Sequence, residues 1–328
     1  MALRLQPQGL FFDLLPSRIS LTAGRTRIDE TPWTNVSLSL VNSLSLFYIP
    51  RFFAHCSHSA QFDLGILPSF IYTHLRDLKS RMRLLVLSDL HANLTALEAS
   101  LSAAEGKWDR VVCLGDVVGY GPDPNEVTSC IRQLGAITIR GNHDKAVAGI
   151  MPTDDFNPVA KMAVHWTRAQ LNPENLEWIT LLPRGPREAE GVVLIHGAFQ
   201  DEDEYVFTPS QALEGLLDSY LPVTFYGHTH HQGGFSYIDP QLDVLQLHPR
   251  QTEKLTALRI EPEKRYLLNP GSIGQPRDGD PRAGFAIADL SNDTVEFWRV
   301  PYDIEKVQQR MRAARLPEPL SQRLSVGR

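Results

Sequence analysis

From Met82 onward the apolar and polar positions recur with the periods of strands and helices. A continuous apolar run over 83–88 predicts a short strand buried on both faces. Asn93 can cap a helix running through Gly106, with Leu94, Leu97 and Leu101 along one side. Further strands are expected over 110–114, 136–140, 192–195 and 223–226, and helices over 124–134, 158–171, 173–182 and 210–219. Beyond residue 230 the helices thin out. Runs near 234–238, 242–247, 255–260, 265–268, 283–290 and 294–300 predict strands of an antiparallel second sheet. A charged amphipathic helix over 303–314 opens a C-terminal helical segment of about 303–328. The early βαβ alternation and the later β run predict an α/β (α+β) domain over 82–328, with two sheets packed together and helices outside.

Residues 1–81 lack this order. VSLSLVNSLSLFYIP has no sustained period of 2 or 3.6, and it is too short and serine-rich to span a membrane. No signal-peptide pattern opens the chain. Three readings compete: a disordered extension, an organelle-targeting segment, or a start assigned too far upstream, with the chain beginning at Met82. The last is preferred, and no domain is drawn there.

Charge sharpens the seam. The net charge of −6 averages 8 Lys and Arg against 5 Asp and Glu before Met82 with 24 against 33 after it. The acidic later segment has no general basic signal, which weighs against a nucleic-acid partner. Cys56, Cys113 and Cys130 form no disulfide framework or CxxC pair. Such cysteines suit a reducing compartment, so a cytoplasmic location is expected, with no membrane partner.

The chemistry sits where strands stop. Five predicted strands in succession end in Asp89-x-His91, Asp116, Asn142-His143, His196 and His228-x-His230. Strand C-termini of an open α/β sheet gather at one edge, where ligands bind. Carboxylates and neutral imidazoles suit Mn, Fe, Co, Ni or Zn, and no thiolate here imposes zinc alone. Asp116, with two oxygens, can bridge two ions about 3.5–4 Å apart. Each piece alone reads more often as a turn, a cap or a surface polar group than as a ligand. Their joint appearance in this order is hard to reconcile with turns alone.

Read in order, SDLH, GDVV, GNHD, IHGA and GHTH resemble the DxH, GDxx, GNH[DE], H[GA] and GHxH motifs of the calcineurin-like metallophosphoesterase superfamily. LGDVVGYGPDPNEV and NPGSIGQPRDGDPRAGF resemble its small bacterial phosphodiesterase branch, some of whose members act on nucleotides, including diadenosine polyphosphates. The resemblance implies a metallophosphoesterase-type two-sheet β-sandwich flanked by α-helices. It implies Asp89, His91, Asp116 and His230 around a first metal, and Asp116, Asn142, His196 and His228 around a second. Two divalent ions are expected, Mn²⁺ first, with Fe, Ni, Co or Zn open. A metal-bridging hydroxide would attack phosphorus in line, and His143, oriented by Asp144, would protonate the leaving oxygen. The expected function is a dinuclear-metal-dependent phosphohydrolase cleaving a phosphodiester or nucleotide phosphoanhydride in a small phosphorylated substrate. The alternatives are a metal-dependent nuclease and, against the intact ligand positions, a non-catalytic binding scaffold.

Substrate contacts are less defined. The glycine-rich 269–277 could bring backbone N–H groups and Arg277 to a phosphate, or form a plain turn in which Asp278 and Asp280 pair with Arg277 and Arg282. Tyr120, close behind Asp116, could stack on a base or pack in the fold.

Overall fold

The structure, a computed structural model, describes residues 82–328 apart from Asp155; the readings made for 1–81 lie outside the described residues. The chain opens with β1 (Arg83–Leu87), α1 (Leu94–Ala103), β2 (Arg110–Cys113), α2 (Pro124–Gln133) and β3 (Ile137–Thr138). Then come α3 (Asn142–Ala148), α4 (Pro158–Gln170), α5 (Pro173–Thr180), β4 (Arg187–Ala189), β5 (Val192–Leu194), α6 (Pro209–Asp218) and β6 (Val223–Phe225). Six strands follow: β7 (Gly233–Ile238), β8 (Gln241–Leu245), β9 (Leu255–Arg259), β10 (Arg265–Asn269), β11 (Ala283–Asp289) and β12 (Thr294–Val300). Two helices, α7 (Ile304–Ala313) and α8 (Glu318–Leu324), close the chain. Among the described residues no helix is long and apolar enough to cross a membrane.

The strands form two six-stranded sheets, ordered β3-β2-β1-β11-β12-β9 and β4-β5-β6-β10-β7-β8. This corrects the expectation that the later strands make a sheet of their own. β11 pairs antiparallel with β1, and β12 and β9 extend that first sheet. β10 instead runs parallel beside β6 and carries β7 and β8. Periodicity marks a strand but not its partner; burial on both faces decides here. Leu84, Val86, Val112, Ala286 and Phe297 meet Leu194, Phe225 and Leu268 between the sheets. The alternate residues Leu85, Leu87, Val111 and Phe285 face Leu97, Val127 and Ile131 of the helices. On the second sheet Val193 and Leu267 pack against Ala212 and Leu216 of α6. Every β1 side chain from Leu84 to Leu87 is fully buried, as its unbroken apolar run requires.

Asn93 caps α1 as expected, its Oδ1 accepting from the Ala96 N–H at 3.1 Å. The GNHD segment is more than a turn, because Asn142 and His143 begin α3. β1, β2 and β3 are mutually parallel, as are β5, β6 and β10, so their C-terminal ends supply the site from both sheets.

Candidate metal centre

Two groups of side chains converge at those strand ends, all buried: Asp89, His91, Asp116 and His230 in one, Asp116, His196 and His228 in the other. Asp116 belongs to both. Its Oδ2 lies 3.6 Å from His91 Nε2 and 3.6 Å from His196 Nε2. Asn142 joins the second group, its Oδ1 3.3 Å from His196 Nε2.

Second partners fix the tautomers, because a backbone carbonyl can only accept. His91 Nδ1 meets Val118 O at 3.3 Å, His196 Nδ1 meets Leu114 O at 2.8 Å, and His230 Nδ1 meets Gln275 O at 2.5 Å. Each ring therefore carries a proton on Nδ1 and turns its Nε2 inward. His228 is reversed: its Nε2–H donates to Asp203 O at 3.1 Å, leaving Nδ1 as the free donor atom.

The inward atoms crowd one another. His91 Nε2 and His230 Nε2 stand 3.0 Å apart, and His230 Nε2 lies 3.3 Å from Asp89 Oδ1. Two ring nitrogens this close repel unless a proton or a cation lies between them. Burial, reinforced by Asp144 and Asp89 against the opposing pull of His196, pushes the Asp116 carboxyl up to about 8. Burial alone would raise Asp89 too, but His230, His196 and the Ser88 hydroxyl outweigh it and hold it below the usual carboxylate range. A dry pocket of carboxyl and imidazole groups whose inward atoms converge fits a divalent cation, whose charge would offset the burial.

The backbone is bent to deliver these groups. Asp89, His91, Asp116, His228 and His230 all adopt left-handed conformations, with φ of 51°, 46°, 51°, 64° and 60°. Gly141 is needed for another reason. A methyl there would overlap Asp116 Oδ1, which accepts from the His143 N–H at 2.8 Å.

His143 lies beside the group, its ring 5.0 Å from His91, 4.3 Å from Tyr120 and 5.2 Å from Phe156. Its Nδ1 is buried without a partner among the described residues. Burial, then the Arg277 cation, lowers its pKa well below 6.5. Asp144 does not orient it. Its carboxylate accepts from the Gly141 N–H at 3.0 Å and the Val118 N–H at 3.2 Å, and makes no hydrogen bond to the His143 ring. The acid caps α3 and ties the loop after β2 to it.

Tyr120 is not free to stack on a base. It is 6% exposed, packed against His91 and His143. The glycine-rich segment also commits its N–H groups inside the fold. Ile273 N donates to Ser88 O, Gly274 N to Asp89 O, Gly271 N to Asn269 Oδ1 and Gln275 N to Ser272 Oγ. Its work is to brace the β1 loop, not to cradle an anion. Arg277 stays a candidate, because Asp278 pairs with Arg299 and Asp280 with Arg282. Among the described residues the Arg277 guanidinium contacts only neutral groups, Gln275 Oε1 at 3.3 Å and the Tyr120 hydroxyl at 3.5 Å, and its Nε has no partner.

One group escaped the sequence reading. Glu202 bonds Arg140 at 2.8 Å and the buried Lys145 at 3.0 Å, tying α3 to the loop whose Asp203 carbonyl holds His228. No local pattern pairs residues 57 positions apart, so only the fold reveals it.

Comparison with known proteins agrees with this geometry. Residues 82–293 match the calcineurin-like phosphoesterase superfamily domain. An uncharacterized protein of Methanocaldococcus jannaschii is 34% identical over 247 residues, spanning 74% of this chain and 97% of its own. A metallophosphoesterase from Sphaerobacter thermophilus, known by crystal structure, is 39% identical and covers 76% of this chain and all of its own, with a TM-score of 0.65. A Pyrococcus horikoshii protein at 20% identity shares the fold alone, over 75% of this chain and 99% of its own, with a TM-score of 0.62. On the match over 82–293 and these relatives, the chain belongs to the calcineurin-like phosphoesterase superfamily and is a hydrolase of phosphoesters.

Proposed function

We propose that the protein is a dinuclear-metal phosphohydrolase that cleaves a phosphodiester or a nucleotide phosphoanhydride. The observation that carries this is the sharing of Asp116 between two ligand groups, with one oxygen equidistant from His91 and His196. Asp89, His91, Asp116 and His230 would hold one ion; Asp116, Asn142, His196 and His228 would hold the other. Mn²⁺ is the first choice for this oxygen- and imidazole-rich set, and Fe, Co, Ni and Zn suit it too. When bound, such ions supply Lewis acidity, polarising phosphoryl oxygen and acidifying water.

The remaining roles belong to this chain's own residues. The protons on Nδ1 of His91, His196 and His230 lock the rings so that no reorientation accompanies binding. Arg277, paired with no carboxylate among the described residues, offers its charge to a phosphoryl oxygen. His143, with its unpartnered Nδ1, shares a proton with the leaving oxygen. Burial and the Arg277 cation lower the pKa of this ring, and an arriving phosphate anion shifts it back toward the charged form.

The test is a panel on Mn²⁺-loaded protein: bis(p-nitrophenyl) phosphate, cyclic nucleotides, dinucleoside polyphosphates and a phosphomonoester. Turnover should vanish with chelator and in Asp116→Asn, and bound metal measured by atomic emission should fall in the variant. Full turnover by Asp116→Asn would refute the shared-carboxylate reading.

A further inference from the structure

A cavity of about 320 Å³ lies beside the metal centre, and the catalytic scheme makes no use of it. Phe207, His231 and Phe235 give it rings, and Gln246, His248 and Asp278 give it hydrogen-bonding groups. Thr229, which stands between His228 and His230, also lines it. Rings run without a break from the centre to this wall. Tyr205 stacks on His228 at 3.9 Å and 9°, Phe207 stacks on Tyr205 at 5.3 Å, and His231 lies 5.5 Å from Phe207. His231 is held in place by Arg277 O, 2.8 Å from its Nε2.

Packing does not explain this arrangement. Tyr205 is 40% and Phe207 52% exposed, on a loop that turns two large aromatic side chains toward solvent. An exposed ring in the wall of a pocket, Phe207, next to a phosphoester centre is suited to a flat partner. The volume is at the small end for ligand pockets, roughly 300–1,000 Å³, enough for one ring system and its sugar. We infer that this cavity is the subsite for the planar heteroaromatic end of the substrate, a nucleobase, stacked on Phe207 while its phosphate reaches the metal centre. The inference rests on the phosphohydrolase reading and narrows it to nucleoside phosphoesters.

Two esters that share p-nitrophenolate as leaving group test it: thymidine 5′-(p-nitrophenyl phosphate) and methyl p-nitrophenyl phosphate. With Mn²⁺-loaded protein, KM for the thymidine ester should be roughly tenfold lower, the scale of one base–aromatic stack. In Phe207→Ala that ratio should collapse toward one, and Phe207→Tyr should restore it. Val244→Trp, a bulky ring added at a solvent-exposed position of the same wall, should also erase the preference. Equal KM values in the wild type, or a ratio that survives Phe207→Ala, would overturn the assignment. Binding of adenosine against ribose by saturation-transfer NMR reads the pocket apart from turnover. An adenosine signal that the wild type gives and Phe207→Ala abolishes supports the subsite even if neither ester is cleaved, an outcome that would sink only the hydrolase reading. A wild type that gives no adenosine signal overturns the subsite while leaving methyl ester hydrolysis intact.

Discussion

Replacing Glu202 with Gln tests whether the ion cluster behind the metal centre stabilises the fold. Glu202 is 7% exposed and accepts from two cations, Arg140 at 22% and Lys145 at 7% side-chain exposure. The amide keeps the shape but removes the charge and turns an N–H₂ toward donors. Removing one member of a buried pair typically costs about 3–5 kcal/mol. Arg140 is partly solvated and Lys145 retains Asp203, so the low end applies, about 3 kcal/mol. With a urea slope of about 3 kcal/mol/M, the midpoint should fall by about 1 M at pH 7 and fixed free metal. Burial would raise the Glu202 pKa, but the hydrogen bonds from Arg140 and Lys145 outweigh it and set it below 4.5. A depressed acid contributes stability above its unfolded pKa and loses it as pH falls through the folded value. The gap between wild type and Glu202→Gln should therefore be constant above about pH 5 and narrow in more acid solution. A double-mutant cycle with Lys145→Met decides the cause. Coupling of roughly 1–3 kcal/mol is expected, and additivity within about 0.5 kcal/mol would refute the ion-pair origin.

Three further substitutions address the centre itself. His143→Ala should lower kcat by roughly 10²–10⁴ on alkyl phosphate esters and far less on p-nitrophenyl esters, as read by steady-state kinetics with both leaving groups. Gly141→Ala places a methyl 2.5 Å from the Asp116 backbone nitrogen and into its carboxylate, so metal affinity by titration calorimetry should drop about 10–100-fold. Arg277→Ala should raise KM roughly tenfold or more, the value of one charge-assisted bond to phosphate, with kcat less affected.

The candidate ligand residues were legible because chemistry overrode burial at defined places: Asp and His do not close buried apolar strands without a reason. The elements were legible from their periods, yet the assignment of β9, β11 and β12 to the first sheet was not, since β11 finds its partner β1 at the far end of the domain's sequence. Asp144 misled for a local reason. Adjacent to His143 in sequence, it starts a helix that turns its carboxylate back onto the Gly141 and Val118 N–H groups. Least visible was backbone strain. Five ligand candidates hold positive φ, which costs a non-glycine residue about 1–2 kcal/mol each. The loops that hold them are laced to one another: His91 N to Asp116 O, His228 N to Asp89 Oδ1, and both Gly274 N and Ser272 Oγ to Asp89 O. That lacing gives NPGSIG its place in the molecule. It keeps the β1 loop in a conformation its residues would leave if free, so that carboxylates and imidazoles meet before any cation arrives. A centre built this way meets its ordering cost at folding rather than at binding, which is how a rigid ligand set achieves affinity.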